Sequence, residues 1–180
     1  MHRFKKRFGR LTGQLSSVEA SVLGDLVDQV RSLLAERRAE HSVDPLADLT
    51  GMAMGTAEAP QDAAVRRLLP DFHASDADLA AGLRQLHEPA LIAAKDTAAV
   101  TLLDSLPRGG GTVRLDEQQS VAWMSALNDV RLAIAERIGL NDDDEEPAAL
   151  ADGDEAVHTM WHTYQWLTMV LDSLVVASME

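Results

Sequence analysis

The pattern of apolar and polar positions along the chain predicts helices that each bury one face. From Ser17 to about Arg38, and again after Asp116, apolar residues recur every three or four positions, which is the period of an amphipathic helix. The first stripe consists of Leu23, Leu26, Val27, Val30, Leu33 and Leu34. The second consists of Trp123, Leu127, Val130, Ile134 and Ile138, with Met124 beside it. Both helices should therefore pack against a common core.

These two helices also begin in the same way. Ser16 and Asp116 are N-cap residues, and Glu19 and Gln119, three positions later, can each complete a capping box. A short extended segment precedes each cap, and a glycine run at residues 109–111 releases the second segment from the preceding helix. We expect the two short strands to pair in a small sheet.

Shorter or interrupted helices are expected in the middle of the chain. They cover residues 46–52, residues 61–69, a stretch that begins near residue 76, and residues 89–106. Ser75 should cap the third of these, whose apolar face would consist of Leu79, Leu83 and Leu86. Because proline lacks a backbone N–H, Pro89 should begin a separate helix or a kinked continuation.

The last helix, residues 154–178, is apolar nearly all round. One face carries Met160, Trp161, Tyr164, Leu167, Leu171, Leu174 and Val175. Much of the remainder consists of Trp166, Met169, Val170 and Val176. Such a helix must be covered on most sides, either by the core of the chain or by a subunit interface. The second explanation predicts a homodimer.

These elements together predict a mainly α fold. We expect a single-domain multi-helix bundle over residues 1–180, with a small β element near the N-terminus and before the helix that starts at Asp116. A chain of 180 residues can bury one substantial core. Residues 50–60 and 141–153 are expected to be flexible loops, and the second is acidic without the ligand pattern of a calcium site.

The formal net charge of -13 argues against broad nonspecific binding to nucleic acid or to anionic membranes. The charge is uneven, however, because the N-terminus carries Arg3, Lys5, Lys6, Arg7 and Arg10. Residues 1–15 should form a basic strand, a hairpin broken at Gly9 or Gly13, or a flexible arm. No signal peptide or membrane span is recognisable, so we expect a cytoplasmic protein.

The sequence contains few groups that could carry chemistry. It has no cysteine, which excludes thiolate sites, and it lacks the common nucleotide-binding and nucleophile motifs. Glu155, His158 and His162 share one helix face, and histidines four positions apart can bind zinc, although the HExxH motif is missing. Two exposed histidines are the simpler interpretation. We expect no catalytic residue and no cofactor.

Arg131 is the polar residue that is hardest to place. It lies four positions after Leu127, close to the apolar stripe, where an unpaired guanidinium would be costly. It either snorkels at the edge of the stripe or forms a buried structural pair or an anion-binding group. Asp129 has no second carboxylate at a useful spacing, so we expect it on the polar side of the helix.

Several segments resemble a known family. They are the basic start Arg3-Phe4-Lys5-Lys6, the stretches LSSVEASVL, DPLADL, GTVRLDEQQSVAW and ALNDVRLAIAERIGL, and the tail Tyr164-Gln165-Trp166-Leu167. The chain resembles an actinobacterial group known only as domain of unknown function number two thousand and seventeen. The resemblance implies an intracellular protein without established activity. Members are often encoded beside the adaptor that delivers N-degron substrates to the Clp protease, and some carry labels as transcriptional regulators.

The resemblance directs attention to Asn128, Asp129 and Arg131, to which we add Tyr164 and Trp166 as candidates for contact with a partner or an anion. Our leading hypothesis is a non-catalytic regulatory or protein-interaction protein, with a homodimer expected. Its partner surface would be the C-terminal helix or the groove near Arg131, and a link to regulated proteolysis rests on the resemblance alone. One alternative is a DNA-binding regulator that uses the basic N-terminus. The other is a metalloprotein that uses the two histidines.

Overall fold

A computed structural model describes residues 2–40, 55–140 and 146–180, and this part of the chain is mainly helical. Its strands are β1 (His2–Arg7), β2 (Arg10–Leu15) and β3 (Gly111–Leu115). Its α-helices are α1 (Ser17–Ala39), α2 (Ala63–Leu68), α3 (Ala77–Ser105), α4 (Glu117–Arg137) and α5 (Glu155–Met179). The predicted fold class is confirmed, whereas the helix expected at residues 46–52 lies outside the described residues.

The three strands form one antiparallel sheet in the order β1-β2-β3. The pairing of β2 with β3 is the one predicted between the two strand–helix units. β1 and β2 form a hairpin whose two-residue turn is Phe8-Gly9, so the break falls at Gly9. Gly13 lies within β2 instead, and a Cβ there would come within 2.8 Å of the Phe4 ring. Glycine at this position therefore lets the ring lie across the sheet.

Both predicted capping boxes are present. The Glu19 backbone N–H donates to Ser16 Oγ at 3.2 Å, and the Ser16 N–H donates to Glu19 Oε2 at 2.8 Å. At α4 the Gln119 N–H donates to Asp116 Oδ1 at 2.9 Å, and the Asp116 N–H donates to Gln119 Oε1 at 3.0 Å. Each box satisfies two donors that a helix start would otherwise leave free, which fixes where the strands end and the helices begin.

α4 is the centre of the core and packs against each of the other four helices. Its predicted stripe is buried throughout, namely at Trp123, Leu127, Val130, Ile134 and Ile138. The Trp123 ring meets Phe4 edge to face with centroids 6.0 Å apart, and its Nε1 donates to Ser105 Oγ at 2.8 Å. One residue of α4 thus contacts both the hairpin and the end of α3.

α3 is one continuous helix through Pro89 rather than two. Proline cannot donate to the carbonyl one turn earlier, that of Gln85. The Gly55 N–H donates to this carbonyl at 2.7 Å, so the chain that enters α2 supplies the missing bond. The helix is capped by Asp76 and not by Ser75 as expected, because Asp76 Oδ1 accepts from the Leu79 N–H at 2.9 Å.

The predicted apolar face of α3 is wrong. Leu79 and Leu86 are 45% and 59% exposed, and the buried positions of this half are Ala80, Arg84 and Glu88. The helix is oriented so that Arg84 and Glu88 lie in the interior, where they form the ion pairs described below. In the second half of the helix, Ile92, Ala99 and Leu102 lie in the core.

The face of α5 that packs against α4 is buried at Leu167, Val170 and Leu174. On its outer side Met169 and Val176 are 61% and 59% exposed. Within the predicted loop at 141–153, a 3₁₀-helix spans Ala148–Asp152, and residues 141–145 lie outside the described part. No described helix is long and apolar enough to cross a membrane.

Candidate functional site

The most distinctive polar arrangement on the helical surface is built around Arg131 of α4. Its Nε donates to Thr168 Oγ1 at 2.9 Å and its Nη2 donates to the Tyr164 hydroxyl at 3.1 Å, both on α5. The guanidinium carbon also lies 5.0 Å from the centroid of the Tyr164 ring. Trp161 stacks on Tyr164 with centroids 5.6 Å apart and an interplanar angle of 11°. We call Arg131, Tyr164, Thr168 and Trp161 the arginine cluster.

The charge of Arg131 is not neutralised within the described part of the chain. Its hydrogen-bond partners are two hydroxyl groups, and it forms no ion pair with a described carboxylate. It is half-buried at the edge of the apolar stripe, and its partners are hydroxyl groups rather than a carboxylate. Two hydrogen bonds and the face of the Tyr164 ring hold the guanidinium in one orientation.

An apolar cleft of about 210 Å³ adjoins the same pair of helices. α1 contributes Val22, Leu26 and Leu33, and α4 contributes Val130 and Ile134. On the α5 side the lining includes Thr159, Met160 and Thr163. The cleft thus lies between α1, α4 and the first half of α5.

Asp129 is not on the polar side of α4, as we had expected, but is only 4% exposed. Lys95 of α3 donates to its Oδ1 at 2.6 Å. Burial raises the pKa of the Asp129 carboxyl, and the bond to Lys95 offsets part of that rise. The pair joins α3 to α4 within the interior of the protein.

Of the other partner candidates, Asn128, the residue before Asp129 in α4, is exposed. Trp166 borders a cavity of about 400 Å³ between β1 and α5, beside Arg3 and Met169. Its Nε1 is buried and has no hydrogen-bond partner among the described residues. Tyr164 is the candidate that the structure brings together with Arg131.

A buried ion network is the feature that sequence reasoning missed. Glu88 of α3 is 0% exposed, and its two carboxylate oxygens accept from Arg37 Nε at 2.7 Å and from Arg84 Nε at 3.2 Å. Arg37 bonds further to Glu40 at 2.6 Å, and Arg84 pairs with Asp71. The spacing of Arg84 and Glu88, four positions apart on a helix, was the one signal in the sequence. This network joins the end of α1 to α3.

The metal hypothesis gains no support from the geometry. Glu155, His158 and His162 follow one another on α5, with His158 half-buried and the other two exposed. Among the described residues no three histidine, aspartate or glutamate side chains lie close enough together to hold a metal ion.

The basic residues of the N-terminus lie apart from the arginine cluster, on the hairpin. Five of them are exposed, namely Arg3, Lys5, Lys6, Arg7 and Arg10. They form a hairpin rather than a flexible arm.

Comparison with known proteins identifies the family. The family described as a domain of unknown function, DUF2017, matches residues 1–178. The chain belongs to this family. A protein of Mycobacterium tuberculosis named oxidative stress regulator AosR is 35% identical over 183 residues, which cover 94% of this chain and 83% of that protein.

A Mycobacterium leprae protein that also carries the name AosR is 38% identical over 175 residues, covering 89% of this chain and 79% of its own length. No solved structure matches the chain significantly. The expected actinobacterial family is therefore confirmed. The names of its relatives are consistent with a regulatory protein.

Proposed function

We propose that this chain is a non-catalytic cytoplasmic regulator that acts by binding another protein through the arginine cluster. The observation that carries the proposal is the half-buried Arg131, which is oriented by two hydroxyl groups and an aromatic ring and has no described carboxylate partner. Arginine, tyrosine and tryptophan are the residues most enriched at the centres of protein interfaces. The expected counterpart is an aspartate or glutamate of the partner, paired with Arg131 and flanked by an apolar residue on Trp161.

The names of the relatives suggest that this regulation belongs to the response to oxidative stress. This chain contains no cysteine, so it has no thiol to oxidise and no disulfide to form. An oxidant must therefore reach it through a partner or through one of its 7 methionines, whose thioethers can form sulfoxides. Because the chain has no thiol, binding to a second protein whose oxidation state changes is a better explanation than an oxidant sensor within the chain.

The test is quantitative affinity capture from the native cell with matched variants. Tagged wild type, Arg131→Gln and Trp161→Ala are compared with Arg38→Gln, which removes the same charge from an exposed position of α1. We expect at least one protein recovered with wild type and Arg38→Gln to fall about tenfold with both cluster variants, since a hot-spot residue contributes roughly 1–2 kcal/mol or more. An unchanged set of partners would reject the cluster as the binding surface.

A variant that keeps the fold intact separates binding from stability. Tyr164→Phe removes one hydroxyl acceptor of Arg131 and keeps the ring. It should weaken capture less than Arg131→Gln does, and thermal unfolding of both variants should stay close to wild type. If capture falls only in variants whose melting temperature falls as well, the cluster is structural.

A further inference from the structure

The outer face of the small sheet carries positive charge only. Strand pairing places Lys5 opposite Thr12 and Thr12 opposite Arg114, while Arg7 lies opposite Arg10. Residues opposite one another in an antiparallel sheet point to the same side. Lys5, Arg7, Arg10 and Arg114 therefore share one side, which we call the basic face, and the opposite side carries Leu11, Leu15, Val113 and Leu115 into the core.

All four cations of the basic face are exposed, and none forms an ion pair with a described carboxylate. The positions between them are Thr12, Gln14 and Thr112, which are uncharged and can donate hydrogen bonds. The chain as a whole has a net charge of -13. The basic face thus carries four positive charges and no acidic residue, and it would attract a polyanion that the negative net charge of the remainder repels.

The tip of the hairpin has an unusual residue. Phe8 has a φ of 51° and its side chain is 106% exposed, so it packs on nothing. Hairpin turns with positive φ at both positions favour asparagine and glycine, and a bulky aromatic residue is strained there. The Phe8 ring is therefore exposed to solvent between Arg7 and Arg10, on a backbone that is strained. Such strained residues are often found at functional sites.

The β1 edge of the sheet is less accessible to a binding partner than the basic face. The Phe4 N–H of the edge strand β1 donates to Ser173 Oγ of α5 at 3.4 Å, so α5 covers part of this edge. Addition of a partner strand along all of β1 is therefore blocked. The basic face has no such cover among the described residues.

The composition of the face selects among anionic partners. Protein interfaces usually have an apolar centre, and the basic face has no apolar residue apart from Phe8 at its tip. Phosphate groups of nucleic acids are bound by arginine and lysine together with threonine and glutamine side chains, which is the set found here. Exposed aromatic rings stack on bases or insert between them.

We propose that the basic face binds nucleic acid, with Lys5, Arg7, Arg10 and Arg114 at the phosphates and Phe8 against a base. The surface is distinct from the arginine cluster on α4 and α5, so either proposal can fail without the other. Because the acidic body repels the polyanion, contact should be confined to the basic face and Phe8, and binding should weaken steeply as salt rises.

The test is fluorescence anisotropy with the full chain and a labelled DNA duplex, and with a labelled single strand of the same length, at several salt concentrations. Four phosphate contacts give a slope of log affinity against log salt of about -3 to -4 for the duplex. Lys5→Gln, Arg10→Gln and Arg114→Gln should each reduce that slope by about one. Arg38→Gln removes the same charge from an exposed site on α1 and should leave it unchanged.

Phe8→Asn tests the ring without risk to the hairpin, because asparagine suits a positive φ. We expect it to weaken binding about tenfold, the contribution of one stacked base. The proposal is overturned by any of three results. These are no binding at the lowest salt, equal loss in Arg38→Gln and the face variants, or competition by polyglutamate as strong as that by unlabelled DNA, which would assign the face to an acidic protein.

Discussion

Replacement of Glu88 by glutamine measures what the buried ion network contributes to stability. The substitution keeps the size of the side chain and removes one negative charge, while Arg37 and Arg84 remain in place and are only 4% and 2% exposed. Both guanidinium groups then lack the carboxylate that they share. Breaking a buried ion pair by removing one partner costs roughly 3–5 kcal/mol, because the remaining charge stays buried without compensation.

Glu40 and Asp71 continue to pair with the two arginines, so the lower end of that range applies. For a chain of this length each kcal/mol moves the melting temperature by about 2–4 °C, and a loss of about 3 kcal/mol corresponds to about 6–12 °C. Thermal unfolding followed by circular dichroism measures the shift. Glu36→Gln, at an exposed position of α1, is the matched control and should melt with the wild type. If both variants melt together, Glu88 is not the carboxylate that holds these helices.

Three further outcomes are expected. Phe8→Asn should raise the melting temperature by about 2–4 °C, since it relieves about 1 kcal/mol of strain at a positive φ; a lower value would mean that the ring packs on the fold. In the wild type, burial raises the pKa of the Asp129 carboxyl above 3.8, so the folded protein binds more protons than the unfolded chain above that pH. Asp129→Asn removes this titrating group. Wild type should therefore lose stability relative to the variant as pH rises from 3.8 through the folded pKa, which chemical denaturation at several pH values measures; a gain would mean that Lys95 outweighs burial. Light scattering should give a molar mass of twice 19.5 kDa for the wild type, as expected of a homodimer. Val176→Glu, on the exposed side of α5, should give the mass of a single chain. A monomeric wild type at high concentration would exclude the homodimer.

The features predicted correctly from the sequence depend on short-range rules. The capping boxes at Ser16 and Asp116 and the stripe of α4 each involve residues a few positions apart, so their geometry follows from the helix itself. The pairing of β2 with β3 followed from the similarity of the two strand–helix units. These local signals were sufficient for the fold class and for the position of the core.

The errors occur where a partner is distant in the chain. The burial of Arg84 and Glu88 was not predicted, and Arg37, which pairs with Glu88, lies 51 positions away in the chain. Asp129 was placed outside for the same reason, since Lys95 lies 34 positions away. Burial of a charge is decided by tertiary pairing, which helical periodicity does not contain.

In the candidate sites, too, single residues were predicted from the sequence but their distant partners were not. Arg131 was recognised as a polar residue close to an apolar stripe, but its partners Tyr164 and Thr168 come from another helix, 33 and 37 positions away. The basic N-terminus was recognised from composition. Arg114 joins it only through the register of β2 with β3, so the basic face could not be assembled from the sequence alone.

The central claim, that the arginine cluster contacts another protein, is tested most directly by cross-linking inside the cell. An aromatic photoreactive amino acid replaces the half-buried Trp161, so that an aromatic ring remains at this position. In a control the same amino acid replaces the exposed Ala35 of α1. On illumination we expect a covalent adduct with one other protein at position 161, lost when Arg131→Gln is added, and no such adduct at position 35. Equal cross-linking at both positions, or none at position 161, would contradict the claim.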